Sequence, residues 1–184
     1  MRILGLSGSL RQDSYNTRLL RAATFLLPPG AQLEVWGGLK AIPPFDEDDE
    51  HTTPAAVEDL RMALRRADAV VIATPEYNGS IPGQLKNALD WASRPLATNP
   101  LKGRPVAVLG ASTGMFGAVW AQAELRRVLA RMGASVVDVE VPVPEADEQF
   151  DGTGQLALPE LRAQVAALLE QLYERAGQPL HEAA

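Results

Sequence analysis

Seven residues near the start of the chain, Ser7, Gly8, Ser9, Arg11, Ser14, Asn16 and Thr17, have the types and spacing that grip a phosphate. Hydroxyl and amide donors gather in one short loop, and a glycine lets backbone N–H groups close on a ligand with no Cβ in the way. Arg11 adds a fixed charge and a planar fork that matches two phosphate oxygens. A helix beginning just after them presents unpaired first-turn N–H groups and the positive end of its dipole to the same point. A strand, a Gly/Ser turn and an N-cap serine also occur in many α/β proteins with no ligand, so the motif alone leaves both readings open. Two further stretches bear on the same site: Thr74 to Gly79, where Asn78-Gly79 signals a turn and Pro75 removes a donor and stiffens the loop, and the small-residue loop Ser112 to Gly117.

The elements that must position these loops follow from hydrophobic period. Ile3, Leu4 and Leu6 form a short apolar run suited to a buried strand, and a helix from Tyr15 carries Leu19, Leu20, Ala23, Leu26 and Leu27 up to Pro28-Pro29-Gly30. A second strand, Leu33 to Trp36, leads into an irregular connection from Gly37 to Thr53, long enough to be functional or mobile. A helix follows with Pro54 in its first turn and Val57, Leu60, Met62 and Leu64 inside. Asp68 to Thr74 is the most apolar strand and is expected in the middle of the sheet. A helix with Pro82 in its first turn then carries Leu85, Leu89 and Ala92, and Gly103 to Ala111 supplies the fourth strand. The helix with Leu125, Val128, Leu129 and Met132 ends at Gly133, the fifth strand is Ser135 to Val139, and a last helix runs from Leu158 to Ala176. This alternation predicts a parallel sheet covered by helices on both faces. Ligands of such sheets bind outside the carboxyl ends of the strands where the winding reverses, which is where the three loops fall.

Composition sets limits on partners and chemistry. The 184 residues predict a single domain over 1–184, with a core of its own. A net charge of -6 provides no basic footprint for nucleic acid, and no run is long and apolar enough for a membrane helix or a signal peptide. The chain has no cysteine, which excludes thiol nucleophiles, disulfides and cysteine metal sites and fits a reducing cytoplasm. His51, in a polar loop, and His181, near the C-terminus, are expected in solvent. The acidic run Asp46 to Glu50 lacks the glycine and distal glutamate of a calcium loop, so it reads as a solvated segment. Trp91 and Trp120, well inside helices, read as core or subunit-interface aromatics.

Gly8-Ser-Leu-Arg-x-x-Ser-x-Asn16, followed by Pro75-Glu-Tyr-Asn-Gly-Ser-Ile-Pro-Gly-x-Leu-Lys-Asn-Ala-Leu-Asp-Trp91, resembles the NAD(P)H-dependent FMN reductase family, which includes quinone, azo-dye and chromate reductases. The resemblance implies an α/β, flavodoxin-like fold, a five-stranded parallel sheet of order 2-1-3-4-5 with helices on both faces. It also implies bound FMN, NADPH or NADH as electron donor, and a small acceptor such as a quinone. Ser9, Arg11, Ser14, Asn16 and Thr17 would hold the FMN phosphate. Pro75, Glu76, Tyr77, Asn78 and Gly79 would line the isoalloxazine ring, and Ser112 and Gly114 would complete the far side. That last loop is often richer in glycine in the family than Thr113-Gly114-Met115-Phe116. A homodimer or homotetramer is implied as well, and the helix from Pro82 to Trp91, apolar on more than one side, suggests cover by another subunit. A bound flavin performs the hydride chemistry itself, so no catalytic acid or base is required from the protein.

Other nucleotide-site proteins fit less well. A dinucleotide-binding dehydrogenase would also open with strand, glycine loop and helix, and Glu34 mimics its ribose acid, but Gly5-x-x-Gly8 is not the G-x-G-x-x-G fingerprint. A low-molecular-weight phosphatase needs a cysteine nucleophile. A non-enzymatic electron carrier of the flavodoxin type shares fold and cofactor and stands as the alternative.

Overall fold

The computed structural model describes residues 1–178, and His181 lies outside the described residues. Strands β1 (Arg2–Ser7), β2 (Gln32–Trp36), β3 (Ala69–Thr74), β4 (Pro105–Ala111), β5 (Ser135–Val136) and β6 (Pro142–Val143) form one sheet. Helices α1 (Tyr15–Ala23), α2 (Ala55–Arg66), α3 (Gly83–Ala92), α4 (Val119–Arg131) and α5 (Pro159–Gly177) cover it. The strand order is β2-β1-β3-β4-β5 and every pairing is parallel, so β3 is central, as its unbroken apolar run predicts. This is the flavodoxin-like arrangement.

The period of two along each strand divides the core into two layers. Leu4, Leu6, Val70, Ile72, Val106 and Val108 face α2, α3 and α4. Ile3, Val71, Ala73 and Leu109 face α1 and α5, with Leu19, Leu20, Val165, Leu168 and Leu172. The winding reverses between β1 and β3, so the loops after them flank one crevice, with the loop after β4 beside it.

Three local expectations are revised. The fifth strand does not run unbroken to Val139: β5 stops at Val136, and β6 resumes pairing with β4 further along. Pro105 pairs with Ser135 but Gly110 with Pro142, so the edge strand bows out between them. The buried Gln122 of α4 fills the gap, its Oε1 accepting from the Val141 amide at 3.3 Å and its Nε2 donating to the Gly117 carbonyl at 3.1 Å. On α2, Met62 is exposed and Arg61 is buried instead, because Val57, Leu60, Arg61 and Leu64 make the inward stripe at helical spacing. Arg61 donates to Thr53 Oγ1 and the Trp91 carbonyl, both at 3.0 Å, and to the Arg94 carbonyl, so it satisfies the end of α3. Burial disfavours the charged form and holds its pKa below the usual arginine value.

The second apolar side of α3 is covered by its own chain and not by another subunit. Trp91 is fully buried, meets Phe45 edge to face with ring centroids 4.9 Å apart, and donates from Nε1 to the Pro43 carbonyl at 2.9 Å. Asn87 donates to the same carbonyl and accepts from the Phe45 amide, while Gln84 donates to the carbonyls of Leu39 and Ile42. The long connection from Gly37 to Thr53 is therefore fastened along α3. Its acidic part folds as a short 3₁₀ turn, Glu47–Thr52, capped by Asp46, with His51 exposed. Among the described residues no three His, Cys, Asp or Glu side chains converge on a metal position.

Candidate functional site

The phosphate-type loop takes its form from the start of α1. Ser14 has extended backbone (φ -73°, ψ 127°), and its side chain accepts from the Thr17 amide at 3.4 Å, so it is the N-cap that its sequence position predicts. The Thr17 hydroxyl donates to Ser7 Oγ at 2.8 Å, tying the helix to the end of β1. The amides of Tyr15 and Asn16 find no acceptor among the described residues and point out of the helix start. Gly8 lets this loop pack closely on α3: a Cβ there would lie 2.9 Å from Leu85 Cδ2.

Asn16 has a different geometry from the other polar groups. Its amide nitrogen donates to the Ala111 carbonyl at 2.9 Å and its oxygen accepts from the Ala111 amide at 3.0 Å, so both ends of a buried side chain are committed to β4. It clamps the start of α1 to the end of a strand two places along the sheet.

The loop after β3 opens with Pro75 and Glu76 and turns at Asn78-Gly79, where both residues have positive φ, 54° and 73°. Tyr77 and Ser80 exchange backbone hydrogen bonds across it, at 2.9 and 3.1 Å. These are the features of a two-residue type I′ turn, for which Asn-Gly is the favoured pair. Glu76 Oε2 accepts from the amides of Trp120 and Ala121 at the start of α4. In the third loop, Ser112 Oγ accepts from the Gly114 amide at 3.0 Å.

A cavity of about 130 Å³ lies between the three loops. Of the residues singled out by sequence, Ser9, Arg11, Ser14, Asn16, Pro75, Glu76, Tyr77 and Ser112 line it. Thr17 faces Ser7, Asn78 and Gly79 form the tip of the turn, and Gly114 lies beyond Ser112, so these four stand outside the lining. Tyr15, Ala111 and Thr113 line the cavity without having been singled out. Tyr15 sits between Ser14 and Asn16, and its ring lies 5.8 Å from Arg11 Cζ and 5.7 Å from Arg18 Cζ. Neither arginine has a carboxylate within ion-pair distance among the described residues, so the charge beside the free amides of α1 is uncompensated. A larger concavity of about 480 Å³ lies along edge strand β2 and α2, lined by charges of both signs including Arg2, Arg66, Glu34 and Asp59. It includes none of the three loops, and the chemistry concentrates in the smaller one.

A parallel sheet with an anion cradle at its switch point, bounded by a tight turn after the central strand, defines a flavodoxin-like nucleotide-binding protein. A family model for NADPH-dependent FMN reductases matches residues 1–148, and the chain belongs to that family. It is an oxidoreductase with FMN as cofactor and a nicotinamide nucleotide as donor. The chain is 45% identical over 158 residues to an NAD(P)H-dependent FMN reductase of Pseudomonas aeruginosa, covering 85% of this chain and 84% of that one. It is 40% identical over 140 residues to a quinone reductase of Escherichia coli K12, with 75% and 74% covered. Among solved structures, a flavoenzyme NAD(P)H:(acceptor) oxidoreductase of Paracoccus denitrificans superposes with TM-score 0.83 at 31% identity, over 95% of this chain and 98% of that one.

Proposed function

We propose that this protein, as one domain over 1–184, passes electrons from NADPH or NADH through FMN to quinones or similar small acceptors. The observation that carries this reading is the uncompensated Arg11 beside the open amides of α1, facing the Pro75–Gly79 loop across one cavity. The residues fit FMN in kind: a dianion meets a fixed cation, serine hydroxyls and a helix N-terminus. The enclosed volume of about 130 Å³ suits the phosphate and its immediate neighbours, which leaves the open side bordered by Tyr77 for the ring.

Ser9, Arg11, Ser14 and the amides of Tyr15 and Asn16 bind the phosphate, while the side chains of Asn16 and Thr17 hold the cradle in shape. Pro75, Glu76, Tyr77, Asn78 and Gly79 border the ring, with Ser112 and Gly114 on the far side. FMN, when bound, supplies the hydride relay. The protein's part is to bind it, orient it and leave one face open, so donor and acceptor share that face and ping-pong kinetics follow. Anaerobic stopped-flow mixing of the FMN-loaded protein with NADPH and with NADH separately tests this: flavin absorbance should bleach and return on adding a quinone. Failure of both nucleotides to bleach it would favour the electron carrier.

Exposed Met115, Phe116 and Trp120 around the start of α4 support a homodimer or homotetramer, since a rim of large apolar side chains favours cover by another surface. A cytoplasmic location for the protein is supported by its lack of cysteine. Among the described residues, no helix is long and apolar enough to cross a membrane.

A further inference from the structure

Helix α4 begins without a cap of its own. Ala118 before it is in the left-handed region (φ 61°) and has no side-chain oxygen to offer the first N–H groups. The acceptor comes from another loop: Glu76 Oε2 lies 3.1 Å from the amides of both Trp120 and Ala121. One turn further along α4, Glu124 Oε2 accepts from Ser80 Oγ at 2.6 Å. The tight turn Tyr77–Ser80 is thus fastened to α4 on both sides, by the residue before it and by its last residue. Tyr77 and Trp120, each adjoining one of these ties, are both about half exposed, at 50% and 52%, and Trp120 meets Phe116 edge to face at 4.9 Å.

We propose that Glu76 is a positioning residue: its carboxylate caps α4 from across the loop, and with Ser80 it holds Tyr77, which lines the cavity, in fixed register with the start of α4, which governs how a nicotinamide ring enters. The last clause rests on the reductase reading, while the capping does not. Glu76 acts here through the backbone of α4 and not as a direct ligand of the cofactor.

The apoprotein labelled with 5-fluorotryptophan gives a readout independent of activity, because ¹⁹F NMR should resolve Trp36, Trp91 and Trp120, the last assigned with Trp120→Phe. Glu76→Ala should shift or broaden the Trp120 line and leave the other two in place. Glu76→Gln should restore it, since the amide oxygen still accepts from the same N–H groups. With FMN bound, Glu76→Ala should raise the nucleotide KM about tenfold, within the range a lost helix cap allows, and change FMN affinity by less than about threefold. If Glu76→Ala does not fold, Ser80→Ala in the apoprotein should perturb the same line. An unmoved Trp120 line in these variants overturns the proposal, and so does a large loss of FMN affinity in Glu76→Ala, which would make Glu76 a direct ligand of the cofactor. Failure of the reductase reading would show separately, as a parent protein that oxidises neither nucleotide while the Trp120 line still responds.

Discussion

Arg11 and Asn16 stand five residues apart in one motif and do opposite work. Arg11 is exposed and uncompensated, so its contribution appears only when an anion is present; Arg11→Ala should weaken FMN binding by about 1.5 to 3 kcal/mol, roughly ten- to hundredfold, read by fluorescence titration of the apoprotein. Asn16 is fully engaged without a ligand, so Asn16→Leu should lower stability by about 2 to 4 kcal/mol in denaturant unfolding, because the Ala111 amide and carbonyl lose their partners. The donor types of the cradle were legible in the sequence, but this division of labour was not, since Ala111 is 95 residues away from Asn16. Asp151 gives a pH-dependent case. Hydrogen bonds from the Thr153 hydroxyl and amide, chiefly, hold its carboxyl below the usual aspartate range. A depressed folded pKa contributes stability that is present above the unfolded value and is lost as pH falls through the folded one. Thr153→Ala should therefore move the Asp151 titration, followed by carboxyl NMR, upward toward the ordinary value.

At the scale of elements, local pattern sufficed wherever a segment's own period decided its fate. The five helices, the central position of β3 and the Asn78-Gly79 turn all follow from spacing within one segment. Elsewhere the pattern misleads: the last strand is interrupted where Gln122 takes up the Val141 amide, and on α2 Arg61 occupies the inward stripe in place of Met62. The apolar second side of α3 was visible in the sequence, but its cover, Pro43 to Phe45 in a segment that looked like loose connection, was not. Arg61→Ala should cost about 2 to 3 kcal/mol in thermal or denaturant unfolding, because the Trp91 and Arg94 carbonyls lose a charged donor at the end of α3. Trp91→Ala should cost more, about 3 to 5 kcal/mol, and free the Gly37–Thr53 connection to proteolysis, since its ring and indole N–H both hold that segment.

For the molecule as a whole, the proposed association rests on the exposed Met115, Phe116 and Trp120, and it predicts that sizing chromatography should return at least twice the chain mass of 19.8 kDa. Because Phe116 and Trp120 are exposed while α3 is sealed by its own chain, Phe116→Ser or Trp120→Ser should loosen the proposed assembly where changes on α3 would unfold the protomer. The Asn16 clamp has a consequence in time as well as in space. It joins the opening motif to a strand completed only at Ala111, so a chain emerging in order makes every cradle hydroxyl early and still lacks the contact that ties the helix start to β4. Loop closure over that span must come first, and cofactor capture during synthesis is thereby deferred until four strands of the sheet have formed.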